Sequence, residues 1–124
     1  MSRIFKTISL ALVALFAVAG LAACSGPSVE KIDMSSVTAV IDVRTPGEYT
    51  EGHLEGAANV DWQSDNFMEI FSQLPTTGTY VIYCKSGNRA GQAQKALEAE
   101  GFTNVINAGS LQDASVATDL PIVK

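Results

Sequence analysis

Histidine and cysteine are scarce in this chain: it has one His and two Cys in 124 residues. A metal centre built from soft or imidazole ligands needs three or four such groups, so no metal site is expected. No cofactor motif is visible either. Basic residues are also few, 8 against 13 acidic, for a formal charge of −5. That balance argues against nucleic acid as a partner, because phosphate contacts need clustered Lys and Arg. The chain shows no internal repeat, charge block or low-complexity tract. Its one long apolar run, residues 8–19, is shorter than the roughly 20 residues a membrane span needs.

That run carries an address rather than a fold. Arg3 and Lys6 precede it, no Asp or Glu appears before Glu30, and it closes on Gly20-Leu21-Ala22-Ala23-Cys24. A positive start, an apolar middle and small residues at the end form a secretory signal peptide, here residues 1–23. Leu21-Ala22-Ala23-Cys24 resembles the lipobox of bacterial lipoproteins. The resemblance implies that Cys24 is lipidated and becomes the new N-terminus, on the periplasmic face of the envelope in a Gram-negative host. The residues alone leave two alternatives: an ordinary signal cleaved near Ala23, or a retained anchor. Residues 24–29 read as a tether, and the four residues Ser25-Gly26-Pro27-Ser28 reach only about 14 Å when extended. Residues 30–124 read as one domain. Without the signal, 6 basic and 13 acidic residues remain, a formal charge of −7. Membrane contact is therefore expected through the lipid and not through charge. A lipidated Cys24 would leave Cys84 without a disulfide partner. Cys84 is then either a reactive thiol or a buried inert one.

The remaining sequence alternates strand-like and helix-like segments, which predicts an α/β fold with a short parallel sheet covered by helices on both faces. Residues 39–43 form an apolar run with one acid, a buried strand. Thr45-Pro46-Gly47-Glu48 carries a capping box and a Pro suited to a first helical turn. Residues 57–60 suggest another short strand. Residues 64–74 predict a helix, with Phe67, Ile70, Phe71 and Leu74 on one apolar face and Pro75 as its stop. Tyr80-Val81-Ile82-Tyr83 is a strand that leads directly into Cys84. A loop follows over residues 85–88, and then a helix over residues 89–100 with Ala90, Ala93 and Leu97 on its inner face. Val105-Ile106 is expected as the last short strand, with one more helix before Pro121.

The chemistry gathers at Cys84-Lys85-Ser86-Gly87-Asn88-Arg89. The cysteine stands at the carboxyl end of a predicted strand, where open α/β sheets bind ligands. Gly87 lets the backbone curl, and successive N–H groups in such a curl make an anion cradle, reinforced by the start of the next helix. Backbone donors of residues 85–89, with Lys85 and Arg89, favour thiolate over thiol and would hold an anionic substrate. Such an arrangement suits covalent catalysis through sulfur. Cysteine phosphatases place five residues between Cys and Arg; here there are four, and residue 90 is Ala where those enzymes commonly have Ser or Thr.

The loop resembles that of single-domain rhodaneses, commonly Cys-x-Ser-Gly-x-Arg. A second similarity lies in Ile41-Asp42-Val43-Arg44-Thr45-Pro46-Gly47-Glu48-Tyr49 and Gly52-His53-Leu54-Glu55-Gly56-Ala57, and a third in Gly101-Phe102-Thr103-Asn104-Val105. The chain departs from the family at Asn107-Ala108-Gly109, where rhodaneses usually have paired glycines and a nearby Trp. The resemblance implies a sulfurtransferase in which Cys84 takes the outer sulfur of a small anionic donor such as thiosulfate. The persulfide then passes it to cyanide or to a thiol, free or on a protein. Lys85, Ser86, Gly87, Asn88 and Arg89 would bind the substrate. Asp42 and Arg44 are candidate supporting residues, more readily read as ties between a strand end and its loops. His53 reads as a local backbone partner, and Trp62 and Tyr83 as packing. The alternatives are a cysteine phosphatase or arsenate reductase, and a non-catalytic binding module.

Overall fold

The computed structural model describes residues 29–124. The expected signal peptide, Cys24 and most of the tether lie outside the described residues. Four parallel strands form the central sheet in the order β3-β1-β4-β5: β1 is Ala39–Asp42, β3 Ala58–Asn59, β4 Thr79–Cys84 and β5 Asn104–Ser110. Helices α1 (Pro46–Glu51), α2 (Phe67–Phe71), α3 (Asn88–Ala99) and α4 (Leu111–Thr118) connect and cover them.

Side chains of a strand alternate between faces, and here each face has its own core. Tyr80, Ile82 and Cys84 join Ile41, Val43, Phe67, Phe71, Ala90, Ala93 and Leu97 on one face. Val81 and Tyr83 join Val40, Leu54, Ala57 and Ala114 on the other. The period of two along β4 thus sends Cys84 toward α3.

Helix α1 starts as its sequence predicts. The Thr45 hydroxyl accepts from the Glu48 N–H, the Glu48 carboxylate accepts from the Thr45 N–H, and Pro46 occupies the first turn. Helix α3 begins one residue earlier than expected, and Gly101 lies just past its end at φ +98°. The predicted helix over residues 64–74 shrinks to the five residues of α2. Local side-chain bonds take the flanks: the Gln63 N–H donates to Asp61 Oδ1 at 2.9 Å, and Ser72 Oγ donates to the Glu69 carbonyl at 2.6 Å. Phe67 and Phe71 are buried and Leu74 packs beside them, but Ile70 turns outward and is 37% exposed.

Strand β5 is longer than the Val105-Ile106 pair expected, and it is not the last. Ile122–Val123 (β6) pairs antiparallel with His53–Leu54 (β2). This small ribbon fastens the C-terminal end to the segment after α1.

Candidate active site

Cys84 is the final residue of β4 and is fully buried. Beyond it the chain turns on Gly87, which sits at φ +91°, a left-handed conformation that glycine adopts without steric cost. The turn folds the backbone back over the sulfur. The Gly87 N–H donates to Cys84 Sγ at 2.9 Å, and the Ala90 N–H donates to it at 3.5 Å. Gly87 is the N-cap of α3 and has no side chain to satisfy the first N–H groups of the helix. The cysteine sulfur fills that role, because Ala90 stands three residues beyond the cap. Both N–H donors and the start of α3 turn their positive ends toward the sulfur. Gly87 lies within the donor set read from the sequence. Ala90 lies one residue beyond it, and the rule that a cap accepts from the third helical residue would have found it.

The cations are arranged differently from expectation. Lys85 is exposed at the loop. Arg89 is not free: its Nη1 and Nη2 donate to Glu48 Oε1 and Oε2 at 2.8 and 3.0 Å. Glu48 also keeps its bonds to Thr45, so one carboxylate caps α1 and grips the active loop. Hydrogen bonding from Arg89 holds the Glu48 carboxyl down at about 2, and Glu48 in turn holds the Arg89 guanidinium above its ordinary value. The capping-box motif marks Glu48 as a helix cap and carries no sign of this second contact. A cleft of about 280 Å³ opens beside this pair, lined by Arg44, Glu48, Glu51, Lys85, Leu111 and Gln112.

Residues 28–113 match the model of the rhodanese-like domain. This chain belongs to the rhodanese-like family. It is 34% identical over 76 residues to the thiosulfate sulfurtransferase PspE of Escherichia coli (strain K12), a match covering 61% of this chain and 73% of that one. It is 33% identical over 86 residues to the thiosulfate:glutathione sulfurtransferase of Saccharomyces cerevisiae, covering 60% of this chain and 62% of the yeast protein. A solved structure, a rhodanese with anions from E. coli, superposes with a TM-score of 0.58 at 35% identity, over 69% of this chain and 96% of that one. These similarities support a sulfurtransferase.

The other residues singled out by sequence hold the rhodanese-like site without meeting at the sulfur. Asp42 and Arg44 form a buried pair: Arg44 Nη2 donates to Asp42 Oδ2 at 2.7 Å, Nε donates to both carboxylate oxygens at 3.0 Å, and the Arg44 N–H donates to Oδ1 at 2.8 Å. Burial opposes the charge on Arg44, but bonding to Asp42 outweighs it and raises the guanidinium above its ordinary value. Arg44 also donates to the Gly52 carbonyl, and Asn59 Nδ2 donates to the Asp42 and Arg44 carbonyls at 3.1 and 2.9 Å. The pair therefore ties the end of β1 to β3 and to the end of α1. His53 Nδ1 lies 2.8 Å from the Tyr49 carbonyl, and its ring stacks on Tyr49 at 3.7 Å. Trp62 Nε1 donates to Gln92 Oε1 at 3.0 Å, and its ring packs edge-on against Phe67. The Tyr83 hydroxyl accepts from the Leu54 N–H at 3.0 Å, and burial pushes its ionisation upward.

The segment that departs from the family pattern backs the loop. Asn107 Nδ2 donates to the Gly87 carbonyl at 3.1 Å, and Asn107 Oδ1 accepts from the Gly109 N–H at 2.9 Å. A Cβ on Gly87 would stand 3.2 Å from Gly109 Cα.

Proposed function

We propose that this rhodanese-like protein transfers sulfane sulfur through a persulfide on Cys84. The observation that carries the reading is the convergence of the Gly87 and Ala90 N–H groups on the Cys84 sulfur. Two fixed donors at a helix start stabilise the thiolate before reaction and the terminal sulfur charge after it. The thiolate attacks the outer sulfur of thiosulfate, the S–S bond of the donor breaks, and sulfite leaves with the bonding pair. Cys84 then carries –S–S⁻. Cyanide or a thiolate attacks the terminal sulfur, and the Cys84 thiolate leaves, restoring the starting state. The two half-reactions make a ping-pong cycle that needs no general base once Cys84 is a thiolate. Because Cys84 is fully buried, donor and acceptor reach it only through a local opening of the fold. The kinship with the thiosulfate:glutathione enzyme supports a thiol, free or on a protein, as an acceptor.

The chain is further proposed to act at a membrane. Residues 1–23 would serve as the signal peptide and Cys24 as the lipid attachment site, tethering a domain of residues 30–124 to the bacterial envelope. The support is the charge and hydropathy order of that segment and its small residues before Cys24.

One measurement tests both parts. Protein expressed with its own N-terminal segment is reduced, incubated with thiosulfate and weighed intact. One added sulfur atom is expected, removed by cyanide and absent in Cys84→Ser. A mass step for lipid with loss of residues 1–23 is expected at the N-terminus. A folded, reduced sample that gains no sulfur refutes the sulfurtransferase reading. Cys84-dependent turnover of an aryl phosphate would favour the phosphatase alternative despite the four-residue spacing.

A further inference from the structure

A groove of about 410 Å³ opens between α2 and the end of α3. Met68, Leu74 and Phe102 give it an apolar floor. Phe102 belongs to the core, while Met68 and Leu74 are only partly covered by it. The chain is held firmly here, because the Thr103 N–H donates to the Thr76 carbonyl at 3.2 Å. Thr76 leads into β4 and Phe102 into β5, so the groove lies at the amino ends of the sheet. Cys84 ends β4 on the opposite side, roughly 17 Å away along the strand. An occupant of the groove would leave the active loop uncovered.

Charge decides what that occupant is. Glu69 and Glu100 stand exposed on the rim, and no Lys or Arg lines the groove. Neither carboxylate has an ion-pair partner among the described residues. Glu100 is the C-cap of α3, where backbone carbonyls already gather negative charge, and the last turn holds no basic residue. A cation there is drawn by the helix end and the carboxylate together. Anionic lipid and nucleic acid are repelled by the rim and by a chain of net charge −5. A second copy on a two-fold axis would set the same carboxylates against each other. We propose that the groove docks a cationic segment of a partner protein, one with Lys or Arg on either side of an apolar side chain. The apolar side chain packs on Met68, Leu74 and Phe102, and the cations reach Glu69 and Glu100. Met68 suits this role, since its unbranched thioether adapts to the shape it meets. The proposal stands apart from the sulfurtransferase reading and does not depend on it.

The test follows the backbone amides of the isotope-labelled full-length protein by NMR while a synthetic heptapeptide of alternating Lys and Leu is added. Shifts are expected to gather at residues 67–76 and 99–103 and to spare residues 84–90. A heptapeptide of alternating Lys and Ser keeps the charge without the apolar side chains, and one of alternating Glu and Leu reverses the charge. Each should bind about tenfold more weakly or worse. Glu69→Gln and Glu100→Gln change exposed residues and should keep the fold. Each is expected to weaken the Lys–Leu peptide by about threefold, the effect of one unit charge roughly 6 Å away across water. Glu30→Gln makes the same change in net charge away from this groove and should leave the affinity as it is, because salt screens distant charges. The proposal is overturned if the shifts scatter over the surface, centre on residues 84–90 or do not occur. It is also overturned if the Lys–Ser peptide binds as tightly as the Lys–Leu peptide, or if Glu69→Gln and Glu100→Gln act no differently from Glu30→Gln.

Discussion

Replacing Arg44 by Met should strand a carboxylate in the interior. Asp42 is 0% exposed, and it would lose every bond from the guanidinium, keeping only the backbone N–H of residue 44. Removing one partner of a buried ion pair costs about 3–5 kcal/mol, because the remaining charge has neither water nor counter-ion. A domain of this size has about 5–15 kcal/mol of stability in total, so the loss is a large share. In urea, with a slope of about 1.5–2 kcal/mol/M, the unfolding midpoint should drop by roughly 2 M. Asp42→Asn in the same background removes the stranded charge and leaves an oxygen for the residue 44 N–H. The double variant should therefore be more stable than Arg44→Met by about 1–2 kcal/mol, the difference between an unpaired charge and an unpaired amide. The reasoning fails if Arg44→Met lies within about 1 kcal/mol of wild type. It also fails if the double variant is no more stable than the single one.

Gly87→Ala forces a Cβ into a left-handed conformation 3.2 Å from Gly109 Cα, and should cost about 1–3 kcal/mol in thermal unfolding. Its rate of sulfur uptake from thiosulfate should fall further, since the N–H on Cys84 moves with the backbone; an unchanged rate would show that this donor is dispensable. The Glu48 carboxyl should titrate near 2 by NMR in the wild type and return toward its ordinary value of 4.5 in Arg89→Gln. Because the folded-state value is depressed, the contribution of this pair to stability is complete above about 4.5 and is lost as pH falls toward 2. That contribution is small, because both side chains are about a quarter exposed and water screens them. Leu97→Ala empties a fully buried position under α3 and should cost about 2–5 kcal/mol in urea, with sulfur uptake retained by the folded fraction.

The elements that came out of the sequence correctly are those whose physics is local. The capping box at Thr45 and Glu48, the β-branched and aromatic run of β4, and the spacing of Ala90, Ala93 and Leu97 each lie within a few turns of chain. The strand–loop–helix order around Cys84 was legible for the same reason. What escaped depends on partners far along the chain. The ribbon of β2 and β6 joins residues that face each other across the fold, and two-residue strands have no periodicity to read. The bond of Arg89 to Glu48 spans 41 positions, so a residue legible as a helix cap gave no sign of reaching the active loop. Asn107 bonds Gly87 across 20 positions. The shortened α2 had a different cause, because Asp61 and Ser72 compete locally with the backbone bonds that periodicity alone assumes.

The complete burial of Cys84 changes what wears the protein out. Thiolates that react readily are usually those that peroxide reaches first, on the way to sulfenic and then irreversible sulfinic acid. Here the resting sulfur is fully buried and bonded by the turn at Gly87, so an oxidant would reach it only through an opening of the fold. Oxidative loss should therefore follow how often the fold opens: the closed state is sheltered, and each opening exposes the thiol. Peroxide should inactivate the resting protein more slowly than it oxidises the same cysteine in the unfolded chain, where the thiol is exposed.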